Sequence, residues 1–204
     1  MNDLNQALGD ISRIRRQVAA TTEFRGYGPA TLAATGGMAM LAALAQRFVI
    51  ANPAAHLAVY LQLWITTAIL AMALTGTQMF TRSRRIHSAL SDDMIRMAVE
   101  QFLPALGAGS LLTLVLFFYV PQSAWMLPGL WQIVFGLGIF ASGRFLPKLI
   151  FVAGAWYLFT GLAVIAVGVE NAFSPIAMGV PFGVGQLLVA AILFYSNRSA
   201  ADEV

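Results

Sequence analysis

The chain has 204 residues, of which 59% are hydrophobic and only 10% charged, with a formal net charge of +3. Soluble domains carry about 25% charged residues, so a lone water-soluble core is excluded and a bilayer must act as solvent for much of the surface. Cysteine is absent, which removes disulfides, thiolate metal sites, Fe–S clusters and cysteine nucleophiles; the cations lie at helix ends and form no nucleic-acid-binding face.

Residues 1–28 form the first unit. They lack the apolar core of a signal peptide, so the mature chain is expected to begin at or near Met1. Leu4, Leu8, Ile11, Ile14 and Val18 recur at three- and four-residue steps and share one face of a helix over 2–20. Asn2 can cap that helix, Asp3 suits its positive start, and Arg13, Arg15 and Arg16 suit its negative end. The apolar stripe is a docking face for the inner leaflet, for a partner protein's helix, or for the underside of the chain's own bundle. Gly26, Gly28 and Pro29 break the chain before the next unit.

The second unit, 29–198, contains six apolar stretches: 29–50, 56–80, 99–120, 124–141, 149–169 and 173–195. Each is near the length of about 20 residues that crosses a hydrocarbon core, and the fourth is the shortest. The connections at 51–55, 121–123 and 170–172 are short enough to force antiparallel neighbours. The expected fold is all-α: a polytopic membrane protein with six transmembrane helices in three hairpins, an N-terminal cytoplasmic amphipathic helix, and a cytoplasmic tail at 199–204. Ser91, Asp92 and Asp93 start the third helix ahead of its span. Pro104 should kink that helix, and Pro181 should bend or interrupt the sixth.

Cation placement sets the expected orientation. Arg13, Arg15, Arg16, Arg25, Arg82, Arg84, Arg85, Arg96, Arg144, Lys148 and Arg198 fall on one side, and only Arg47 lies towards the other. The positive-inside rule makes the rich side cytoplasmic, with both termini inside. The excess of Arg over Lys, with heavy Ala and Gly use, points to a GC-rich bacterial genome and hence to the inner membrane.

The fourth and sixth stretches align without gaps. Gly129, Gln132, Phe140, Ser142 and Arg144 lie over Gly183, Gln186, Phe194, Ser196 and Arg198. Phe80 also precedes Arg84 by four residues, and the helices before these start near Pro29, Pro104 and Pro147. Parallel repeats about an axis normal to the membrane would produce this pattern. So would the general gathering of aromatics and Arg at inner interfaces.

Few residues carry chemistry. Glu100, beside Gln101, is the ionisable group nearest a span interior; it is either a cation- or proton-binding carboxylate below Pro104 or a boundary carboxylate paired with Arg96. Gln62, Gln132 and Gln186 either line a shared cavity or hydrogen-bond between helices. His56 and His87 belong to opposite sides, so one copy cannot ligate haem with both. Ser142, in Phe140-Ala-Ser142-Gly143, lacks the leading glycine and later histidine expected of rhomboid-type intramembrane proteases, and no base is available to activate it. Lys148 is outside the spans, which removes a retinal-type Schiff base. No cofactor or metal is implied.

Three function classes remain. The first is a non-enzymatic membrane protein that binds a partner or ligand: a sensor, regulator or auxiliary subunit, with the bilayer and a homo-oligomer or another protein as partners. The second is a small oligomeric transporter or channel for a neutral or weakly charged solute. The third, an intramembrane enzyme, has no visible nucleophile–base pair or metal cluster to support it.

Overall fold

The computed structural model describes residues 28–86, 89–143 and 146–202. The 2–20 helix, with its Leu4, Leu8, Ile11, Ile14 and Val18 stripe, lies outside the described residues, as does His87. All regular structure among the described residues is helical.

Helix α1 covers Pro29–Val49. Proline in its first turn presets the backbone and needs no donor there. The Gly28 N–H donates to Gln78 Oε1 at 3.0 Å, tying the start of α1 to the next helix. Helix α2, Leu57–Ile86, and helix α3, Ala89–Phe118, are each 30 residues long. A 3-10 segment, Pro121–Met126, leads into α4, Leu127–Ser142. Helix α5 covers Ile150–Ala166, a helical turn covers Val169–Ala172, and α6 covers Pro175–Asp202.

Five stretches are long and apolar enough to cross a membrane: Pro29–Val49, Leu57–Thr81, Val99–Phe118, Pro121–Ser142 and Pro175–Ser196. The remaining apolar helix, α5, has 17 residues, about 25 Å at 1.5 Å per residue. The expected order of lengths is therefore corrected. The fourth stretch gains from its 3-10 lead-in, whereas the fifth stops at Gly168, whose φ of 77° suits glycine and ends the helix. Pro181 does not interrupt α6, and α3 likewise runs through Pro104 as one helix. α6 also continues as helix to Asp202, past the expected start of the tail at 199.

The loops at 50–56, 119–126 and 167–174 share one end: Ile50, Ala124 and Phe173 belong to one buried cluster with Tyr60, Trp64 and Leu127. Around the bundle, each hairpin packs within itself, and α6 packs on α1 as extensively as α4 packs on α5. The remaining seam, α2 against α3, is nearly open. Correspondingly, 17% of the α2 span and none of the α3 span is buried, against 50% of the α6 span. Helices α1, α4, α5 and α6 thus form the core, and α2 and α3 flank it.

Glycine makes the two tight seams. A Cβ on Gly129 would lie 2.6 Å from the Gly161 carbonyl oxygen, and a Cβ on Gly161 would lie 2.6 Å from that of Gly129. At the α6/α1 seam a Cβ on Gly36 would lie 2.9 Å from the Gly183 carbonyl oxygen. Without a hydrophobic drive between helices in lipid, such backbone approach supplies the contact energy. The aligned stretches Pro121–Ser142 and Pro175–Ser196 are both 22 residues long. The helices themselves differ, 16 residues in α4 and 28 in α6, a Cβ on Gly183 would meet Met40 and not Gly36, and the open α2/α3 seam has no counterpart in a parallel repeat.

Candidate functional site

The structure disperses the residues singled out by sequence. Glu100 is exposed and accepts from Arg96 Nε at 2.7 Å, one helical turn away, while Gln101 beside it is half-buried. Gln62 is exposed on α2. Gln132 is fully buried and donates through Nε2 to Ala177 O at 2.8 Å and Pro128 O at 3.1 Å. The first of these has a clear cause. Pro181 has no N–H, so the Ala177 carbonyl four residues earlier lacks its helical donor, and the Gln132 amide replaces it. Gln186 is half-buried against Tyr157, where its own oxygen has no hydrogen-bond partner. These side chains do not line one shared cavity.

Aromatic rings fill the centre of the bundle. Phe135, Tyr157 and Phe182 meet pairwise at centroid separations of 4.8, 5.3 and 5.5 Å, and Phe102 adds a fourth ring 5.4 Å from Phe135. The fit is close: a Cβ on Gly185 would lie 2.5 Å from the Tyr157 hydroxyl. Trp156 Nε1 donates to Pro181 O at 2.9 Å, and Trp131 Nε1 donates to Thr113 Oγ1 at 2.8 Å, so both indoles are structural.

A cleft with several polar residues in its lining lies at the short-loop end. It has a volume of about 310 Å³ and opens between the α1–α2 loop and the segment joining α5 to α6. Its walls include Arg47, Asn52, Glu170 and Ser174, and its floor includes Gln46, Ile50 and Phe173. Gln46 is fully buried and satisfied at both ends of its amide: Nε2 donates to Phe173 O at 2.7 Å and Oε1 accepts from Trp64 Nε1 at 2.8 Å. One side chain therefore joins α1, α2 and the approach to α6 directly under the cleft. Tyr60 braces it, with its ring edge-on to Phe173 at 4.9 Å.

Arg47 and Glu170 are the charged residues that the described short-loop end carries, and both line this cleft. Each has a local structural reason to be there, since a cation suits the last turn of α1 and an acid the first turn of Val169–Ala172. Neither forms an ion pair among the described residues. Asn52 Oδ1 accepts from Ala55 N at 3.2 Å and Ser174 Oγ from Ala177 N at 3.3 Å. The charged groups left to meet a solute are one guanidinium and one carboxylate, with the Asn52 amide N–H groups and the Ser174 hydroxyl still free to donate. Sequence reasoning noted Arg47 only as an exception to the charge rule; that Glu170 is the one acid at the same end was an available signal. Gln46 carried no such signal, because its partners are 18 and 127 residues away.

Comparisons with protein-family models, curated proteins and solved structures find no match to this chain.

Proposed function

We propose that the chain is a non-enzymatic, six-span protein of a bacterial inner membrane, with both termini inside, acting as a sensor, regulator or auxiliary subunit. Its ligand is a small zwitterion taken up in the Arg47–Glu170 cleft from the periplasmic side. The observation that carries this reading is that two opposite charges, unpaired among the described residues, line one cleft at an end otherwise poor in charge. A volume of about 310 Å³ is at the small end of ligand pockets. An anion facing the Arg47 guanidinium and a cation facing Glu170 would complete both charges at once. The Gln46 bridge beneath gives occupancy a route to the relative positions of α1, α2 and α6. The ring-filled bundle centre favours binding over passage, and so sets the transporter reading second.

A lipid head group and a free solute share this zwitterionic chemistry. Native mass spectrometry of the purified protein should show a small adduct that is lost in both Arg47→Gln and Glu170→Gln. If the adduct is phosphatidylethanolamine, it will return on adding that lipid; if it is a free amino-acid-like solute, it will return without lipid. Retention of the adduct in both variants would remove the cleft from the account.

A further inference from the structure

The face of α2 that points away from the bundle carries two polar side chains, Gln62 and Thr66, without a hydrogen-bond partner among the described residues. Tyr60, Trp64, Thr67, Ala71 and Gln78 form the bundle-facing stripe of this helix. At 100° per residue, Gln62, Thr66, Ile69, Ala73 and Gly76 fall on the opposite side, and all five are exposed. The bundle cannot reach them.

Their depth makes this costly. The α2 span Leu57–Thr81 is centred near Ile69, so Gln62 lies about 10 Å from the middle and Thr66 about 5 Å, inside a half-thickness of about 15 Å. Lipid offers an amide no hydrogen bond there. Six other hydroxyls solve the problem locally: Thr67, Thr75, Thr77, Ser110, Thr113 and Thr160 each donate to the carbonyl four residues earlier, whereas those of Tyr60, Ser142 and Tyr157 are buried without a partner among the described residues. Gln46, Gln78 and Gln132 all bond to other segments. Gln62 and Thr66 form no such bond among the described residues.

We propose that this face is the interface of a parallel homodimer, with a second copy of the chain as occupant. Copies inserted with the same orientation are related by a twofold axis along the membrane normal. That operation brings Gln62 opposite Gln62 of the partner subunit at the same depth. A primary amide has both donor and acceptor, so it is complementary to its own copy, and Thr66 one turn deeper can join the pair. Further along the stripe, a Cβ on Gly76 would meet nothing; Ala73 and Gly76 thus leave two backbones free to approach. This interface is independent of the Arg47–Glu170 cleft.

The absence of cysteine gives the test a clean background. Single variants Ile69→Cys and Ala73→Cys, which keep Gln62, and the off-stripe control Leu74→Cys are oxidised in native membranes. Disulfide-linked dimer is expected for Ile69→Cys and Ala73→Cys and not for Leu74→Cys. Adding Gln62→Leu to Ala73→Cys should lower the dimer yield roughly threefold to tenfold, the range of one or two interhelical hydrogen bonds. No dimer at either stripe position, equal yields at all three, or a yield unchanged by Gln62→Leu would each overturn the proposal.

Discussion

Gln46 joins α1 to α2 and to the approach to α6 through one buried amide. Replacing it by Leu would leave the Phe173 carbonyl and the Trp64 indole N–H without the partner each now has. Interhelical hydrogen bonds in membranes are worth about 0.6–2 kcal/mol each, so Gln46→Leu is expected to cost roughly 1–3 kcal/mol, read from reversible unfolding in mixed micelles. Glu100→Gln should contrast with it. The Arg96–Glu100 pair is exposed and within one helix, and such pairs contribute about 0–1 kcal/mol; the same assay should show little change. Gly168→Ala tests the backbone itself. At φ 77° and ψ −177°, a region held almost only by glycine, a Cβ costs about 1–3 kcal/mol, and the loss should appear although the site has open space around it.

At the scale of elements, the two glycine seams set the architecture. Gly129→Leu would drive a branched side chain into the backbone of α5, where even one Cβ sits 2.6 Å from an oxygen. Overpacking costs about 1–3 kcal/mol where neighbours can move, and a backbone carbonyl moves least. The variant is expected to lose its monodisperse profile on size exclusion in detergent. Gly76→Leu on the outer face of α2, where a Cβ meets nothing, should keep the folded monomer. The sequence made the helices legible, because a run of about 20 apolar residues has one stable solution in lipid. It did not show which helices lie inside. Apolar residues cover all sides of each span, so amphipathic periodicity carries little signal, and burial is decided by glycine matching between segments far apart. The end of α5 was misplaced for a related reason: hydropathy continues through Val167 and Val169, while the stop comes from the backbone of Gly168.

For the whole molecule, charge placement and loop structure agree on a division into two ends. Loops 50–56, 119–126 and 167–174 meet in one cluster, and the described Lys148 belongs to the connection at the other end. In a chain free of cysteine, Asn52→Cys, Gln122→Cys and Asn171→Cys should react with impermeant maleimide in intact cells, whereas Lys148→Cys should react only after lysis. Of the site, sequence yielded single residues and not their grouping. Gln62, Gln132 and Gln186 look alike as letters, yet one faces outward, one replaces the donor missing at Pro181, and one abuts Tyr157. Arg47 and Glu170 are 123 positions apart and line one cleft only because α6 packs on α1.

Thermal stability in defined lipid, followed against added ligand, decides whether the Arg47–Glu170 cleft binds a zwitterion. The protein is placed in nanodiscs of phosphatidylglycerol alone, and its melting temperature is followed while small solutes and phosphatidylethanolamine are titrated in. A compound bearing both charges should raise the melting temperature saturably, as binding to the native state requires. Singly charged analogues should act weakly, and both Arg47→Gln and Glu170→Gln should abolish the response while retaining the unliganded melting temperature. If zwitterions act no better than their singly charged analogues, or if both variants respond as the wild-type chain does, the cleft is not the binding site.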